Sequence, residues 1–120
     1  MIKTVNFHIK ELENMKKYPE DLYYIGNINL LKKNKISIVG SRTPNQYSCE
    51  IIRRLSNKLS QAGVCIVSGG ALGIDTIAHK SAGLSNTIMV AGTGLDKKYP
   101  AINTKMIKKI EENGLIISQF

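Results

Sequence analysis

The chain has 120 residues, a formal net charge of +8, 42% hydrophobic side chains and two cysteines. That length holds one domain at most, at the small end for a wound α/β sheet. No apolar run approaches membrane-spanning length, and Met1–His8 lacks the apolar core of a signal peptide, so no membrane partner is expected.

Cys49 and Cys65 have no second Cys or His at ligand spacing. A structural zinc site is therefore not expected, and a reducing cytoplasm is the natural compartment. The positive charge suits a polyanionic partner. Fourteen of the cationic residues are scattered lysines and three are arginines, however, and solvated lysines carry no site information.

In chain order, residues 1–34 stand apart as a charged, Tyr-rich lead-in, punctuated by Pro19 and Gly26. They read as a short helix or arm and a turn, with Leu30-Leu31 packing a last turn on the core. From residue 35 a regular alternation begins. An apolar strand at 36–39 enters the loop Gly40-Ser41-Arg42-Thr43-Pro44. A helix near 46–62 follows, with Ile51, Leu55, Leu59 and Ala62 as its inward stripe and Arg53, Arg54 and Lys58 on the solvent side. Gly63 closes that helix.

A strand at 64–67 leads through Ser68-Gly69-Gly70-Ala71-Leu72-Gly73 into a helix from about Asp75 to Ala82. A third strand, 87–91, runs into Gly92-Thr93-Gly94-Leu95-Asp96. Asn103 reads as the N-cap of a helix over 104–112, and Leu115–Ser118 begins a fourth strand. Four apolar strands separated by helices predict a three-layer, Rossmann-like α/β fold, a parallel sheet with helices on both faces. The chain stops at the tip of its fourth strand, so the fold is expected to be truncated, or completed by another chain.

The glycine-bearing loops all fall at the carboxyl ends of parallel strands, where open α/β sheets bind anionic ligands. Gly40, Ser41 and Arg42 offer a tight turn, a hydroxyl and a two-pronged cation for phosphate. Ser68, Gly69, Gly70 and Gly73 permit close backbone approach at a helix start. Gly92 and Gly94 add a third loop, and Arg53 and Lys58 are secondary cations. Neither the G-x-G-x-x-G spacing nor a P-loop is present. Asp75 reads as a helix cap or a ligand contact, Asp96 as a loop-fixing residue, and His79 as a packing residue. Tyr47 and Tyr99 are the candidate base-stacking rings, with packing as the competing reading for each. No nucleophile–base pair or carboxylate dyad stands out, so binding is expected and catalysis is not.

The run Ile38-Val39-Gly40-Ser41-Arg42, then Val67-Ser68-Gly69-Gly70-Ala71-Leu72-Gly73-Ile74-Asp75-Thr76-Ile77-Ala78-His79, then Thr87–Pro100 and Gly114-Leu115-Ile116-Ile117-Ser118, resembles the DNA-processing protein A (DprA/Smf) family. Upstream, Tyr18-Pro19-Glu20-Asp21-Leu22-Tyr23-Tyr24-Ile25-Gly26-Asn27 is similar to that family's lead-in to the first strand. The resemblance spans roughly residues 18–120. It implies an extended Rossmann fold, single-stranded DNA binding, homodimerisation, and loading of the RecA recombinase on incoming DNA in natural transformation, with no cofactor. Arg42 matches the family arginine that contacts DNA phosphate, and Ser68, Gly69 and Gly73 match the neighbouring loop of the same pocket.

Gln119 departs from the glutamate usual after the strand serine, and the chain ends ahead of the family's Arg-Asn-Arg segment. Residues 35–120 therefore read as the first half of the family's Rossmann domain. A rival class is a nucleotide-directed enzyme or sensor of the phosphoribohydrolase-like Rossmann group, which has similar loops. The enzyme needs a Pro-Gly-Gly-x-Gly-Thr-x-x-Glu type of segment, and these 120 residues contain none.

Overall fold

The structure, a computed structural model, describes all 120 residues. Six strands form one sheet: β1 (Lys3–Thr4), β2 (Tyr23–Gly26), β3 (Lys35–Ser37), β4 (Cys65–Ser68), β5 (Thr87–Ala91) and β6 (Leu115–Ser118). Their order is β1-β2-β6-β5-β4-β3. The four strands expected from the apolar runs pair in parallel, with Ser37 opposite Val67, Ser68 opposite Met89 and Met89 opposite Ile116.

The lead-in departs from its reading as helix or arm and turn. Tyr23–Gly26 pairs antiparallel with β6, Tyr24 opposite Ile117, and Lys3–Thr4 pairs antiparallel with β2. The sheet is therefore mixed, and β6 lies inside it. Tyr23, Tyr24 and Ile25 are β-prone and alternate between the two faces, which a polar stretch punctuated by Pro and Gly conceals.

Three α-helices connect the parallel strands: α1 (Gln46–Gln61), α2 (Ile74–Ala82) and α3 (Thr104–Asn113). Each parallel step from β3 to β6 advances the same way across the sheet. Right-handed crossovers consequently place all three α-helices on one face. That face is built from Ile66, Met89 and Ile116, packed against Ile74, Ala78 and Ala82 of α2 and Met106, Ile107 and Ile110 of α3. The third layer comes from the N-terminal segment. Its two 3-10 helices, Lys10–Leu12 and Ile28–Lys32, set Ile9, Leu12, Leu30 and Leu31 against Cys65, Ile88, Leu115 and Ile117 on the opposite face. Ile66, Ile88, Ile110, Leu115 and Ile116 are essentially solvent-free, each contributing about 1.5–3 kcal/mol of burial.

Helix α1 is rotated from its predicted orientation. Ile52 and Leu59 face the core, Ser56 is fully buried, and Ile51 and Leu55 are exposed. Two serines let α1 approach α2 closely. The Ser56 hydroxyl donates to the Ala78 carbonyl at 2.7 Å and the Ser60 hydroxyl to the Ala82 carbonyl at 2.6 Å. No helix is long and apolar enough to cross a membrane.

Candidate nucleic-acid interface

The loops after β3, β4 and β5 meet at the carboxyl ends of their strands. What joins them is Asp75, in the first turn of α2. Its carboxylate is buried and accepts from the Gly40 N–H at 3.3 Å and the Gly69 N–H at 3.0 Å. One acidic side chain thus holds the first and second loops together. It also occupies two of the glycine N–H groups expected to face a ligand.

The glycines at this junction answer to packing. A Cβ on Gly69 would sit 2.9 Å from the Asp75 Oδ2. Gly73 has a φ of +81°, and a Cβ there would strike the carbonyl oxygens of Ser41 and Arg42. Only glycine accepts both that backbone angle and that approach. Gly73 is therefore the surface on which the Arg42 loop rests, and the Ile74 N–H donates to the Ser41 carbonyl at 3.0 Å.

The two predicted serines are occupied locally. Ser68 is buried, and its hydroxyl donates to the Ile38 carbonyl at 2.6 Å, fixing β4 to β3. The Ser41 hydroxyl accepts from the Thr43 N–H at 3.0 Å and shapes its own turn. Gly70 is buried, and its carbonyl accepts from the Asn103 amide at 3.0 Å. Asn103 also donates to the Thr76 hydroxyl at 2.9 Å, so it straps the third loop region to the second and does not cap α3 as its position suggested.

Beside this junction lies a cleft of about 250 Å³, lined by Arg42, Gly69, Ala71, Leu72, Gly92, Thr93, Tyr99 and Pro100. Arg42 is exposed there and forms no ion pair, whereas Arg53 and Arg54 both pair with Glu50. The N–H groups of Arg42 and Ala71 donate to no acceptor within the protein. A guanidinium without an ion pair, beside backbone N–H groups without internal acceptors, is what an oxyanion requires. A larger groove of about 670 Å³, between the N-terminal segment and the sheet, is lined chiefly by apolar side chains such as Ile9, Leu22 and Ile88.

Of the other predicted residues, Gly92 lines the cleft, while Gly94 lies under the Asp96 carboxylate in the same loop and outside the cleft. Arg53 and Lys58 lie along α1 and do not reach it. Tyr47 and Tyr99 are both exposed, not packed, and only Tyr99 lines the cleft. His79 is fully buried behind the site. Thr87 donates its hydroxyl proton to the Ile66 carbonyl at 2.8 Å, so it accepts from His79 Nδ1–H at 2.6 Å. Nε2 is left without a partner. Burial lowers the His79 pKa to about 4, with the Asp75 charge opposing.

Residues 4–120 match the family described as DNA recombination-mediator protein A. The chain belongs to that family. Among relatives of the DprA/Smf group, it is 41% identical over 105 residues to DNA processing protein DprA of Streptococcus pneumoniae, covering 85% of this chain and 36% of that protein. It is 39% identical over 108 residues to protein Smf of Synechocystis sp., covering 85% of this chain and 27% of the relative. The chain thus spans about a third of the length of these DprA/Smf relatives.

Solved DprA structures agree. The fold matches DNA processing protein A of Helicobacter pylori, a structure describing that protein's single-stranded DNA binding mode, with a TM-score of 0.95 and 40% identity over 99% of this chain and 55% of the other. Streptococcus pneumoniae DprA matches with a TM-score of 0.89 and 34% identity, over the whole of this chain and 44% of the other.

Proposed function

We propose that this chain binds single-stranded DNA through the cleft at the carboxyl ends of β3, β4 and β5, with Arg42 holding a backbone phosphate. One observation carries the reading. The single arginine without a carboxylate partner opens onto a cleft that also offers free Arg42 and Ala71 N–H donors. The Helicobacter pylori relative, whose structure concerns single-stranded DNA, supports it through family membership. Asp75, Gly73 and Ser68 act by fixing the loops; Gly40, Ser41 and Gly69 shape them; and Arg53 and Lys58 contribute only to the long-range field.

The role is binding, not catalysis. In the wider reading drawn from the resemblance, the chain works in the cytoplasm as part of a homodimer that helps load RecA recombinase on incoming DNA. Titration of the isotope-labelled chain with a short oligo-dT, followed by amide chemical shifts, tests the site. Shifts concentrated at Arg42, Ala71 and Gly92 are expected. Shifts confined to the Arg53–Lys58 surface of α1 would place binding elsewhere. RecA nucleation on coated single strands, with and without the chain, tests the loading role.

A further inference from the structure

The cleft has two kinds of wall, and a phosphate uses one of them. Arg42 and the Ala71 N–H are polar donors, while Leu72, Tyr99 and Pro100 present apolar surface to the same space. Tyr99 is 62% exposed and Leu72 40% exposed, so neither is there to fill the core. The other tyrosines are placed differently. Tyr18 stacks on His8 and accepts from the Ile9 N–H, Tyr23 and Tyr24 pack within β2, and Tyr47 opens onto a separate hollow beside Val39 and Ile51. Tyr99 is the one aromatic ring in the Arg42 cleft, and its hydroxyl forms no hydrogen bond.

We propose that Tyr99 is a stacking platform for an unpaired nucleobase whose own or neighbouring phosphate is held at Arg42. The proposal rests on the reading of the cleft as a DNA-phosphate site and adds what that reading lacks. Phosphates occur in single strands and duplexes alike, so an arginine and two N–H groups do not distinguish them. A ring that needs a free base face does, because in a duplex both faces of each internal base are already stacked. Every base has such a face, so the platform is tolerant of sequence.

The segment that carries the ring is also anchored. Four residues beyond it, Asn103 is buried and bonded to the Gly70 carbonyl and the Thr76 hydroxyl, which ties the Tyr99 segment to the second loop. The cleft of about 250 Å³ has room for one base.

The test is fluorescence-anisotropy binding of the full chain to two labelled oligomers of equal length, oligo-dT and an abasic deoxyribose-phosphate strand. Tyr99→Ala is expected to weaken oligo-dT binding about 5- to 160-fold, the range for loss of one stacked base. It should leave abasic binding unchanged, and Tyr99→Phe should restore oligo-dT binding. Arg42→Ala should weaken both oligomers. If Tyr99→Ala costs nothing on oligo-dT, or the same on both, while Arg42→Ala still weakens both, stacking is overturned and the phosphate site stands. If Arg42→Ala changes neither, or the parent binds thymidine monophosphate but no oligomer, the phosphate reading falls and stacking with it.

Discussion

Asp75 shows why the glycine loops cannot be read as a ligand cradle residue by residue. A carboxylate at the proposed phosphate site is unfavourable unless its charge is satisfied, and here it accepts from the Gly40 and Gly69 N–H groups. Asp75→Ala leaves both donors without an acceptor. Hydrogen bonds to an ionised group contribute about 1.5–3 kcal/mol each, so we expect a loss of about 3 kcal/mol in urea unfolding. Asp75→Asn, which keeps one good acceptor, should lose roughly half as much. Equal stability of all three proteins would refute the strut.

At the same scale, His79 is neutral in the fold and charged below pH 6.5 when unfolded. Its folded pKa of about 4 means that the unfolded chain binds more protons between those values. Stability therefore falls as the pH drops through 6.5 towards 4, by roughly 2 kcal/mol from this group at pH 5. In His79→Gln the difference between unfolding at pH 7 and pH 5 should shrink by about that amount. The identities of Arg42, Gly69, Gly73 and Asp75 were legible in sequence, but their division of labour was not. Whether a serine or aspartate faces a ligand or a neighbouring loop depends on contacts between residues about 30 apart, such as Ser68 with Ile38 and Asp75 with Gly40.

Among the elements, α1 teaches a similar lesson. Ile51, Leu55 and Leu59 recur at helical spacing, so the stripe they form looks like the packing face. The face turned to the core carries the fully buried Ser56 and the partly buried Ile52 and Leu59, because two serine hydroxyls find α2 carbonyls and allow the helices to approach closely. Periodicity weighs apolarity and misses a polar residue whose hydrogen bond is satisfied within the interface. Ser56→Leu should consequently destabilise by about 1–3 kcal/mol through overpacking. Leu55→Ser, on the exposed side, should stay within about 0.5 kcal/mol of the parent. Thermal unfolding of the two variants separates the predicted orientation from the observed one, since the reverse ranking would require Leu55 to be the buried residue.

For the whole molecule, the parallel core was readable because its strands are short, largely apolar runs, three of them entering glycine loops, and each helix has its own period. The placement of all three α-helices on one face follows from strand order, which no local pattern encodes. Nor does the sequence mark a two-residue strand such as Lys3–Thr4, whose pairing depends on β2 being in place.

The net charge of +8 draws polyanions without choosing a site, so a specific cleft must reveal itself against that background. The direct measurement is anisotropy binding of the chain to labelled oligo-dT at low and raised salt, beside Arg42→Ala and Lys58→Ala. Salt-sensitive binding is expected, weakened strongly by Arg42→Ala and only slightly by Lys58→Ala, with circular dichroism unchanged. Equal losses from the two substitutions would mean that diffuse charge, and not the cleft, holds the DNA.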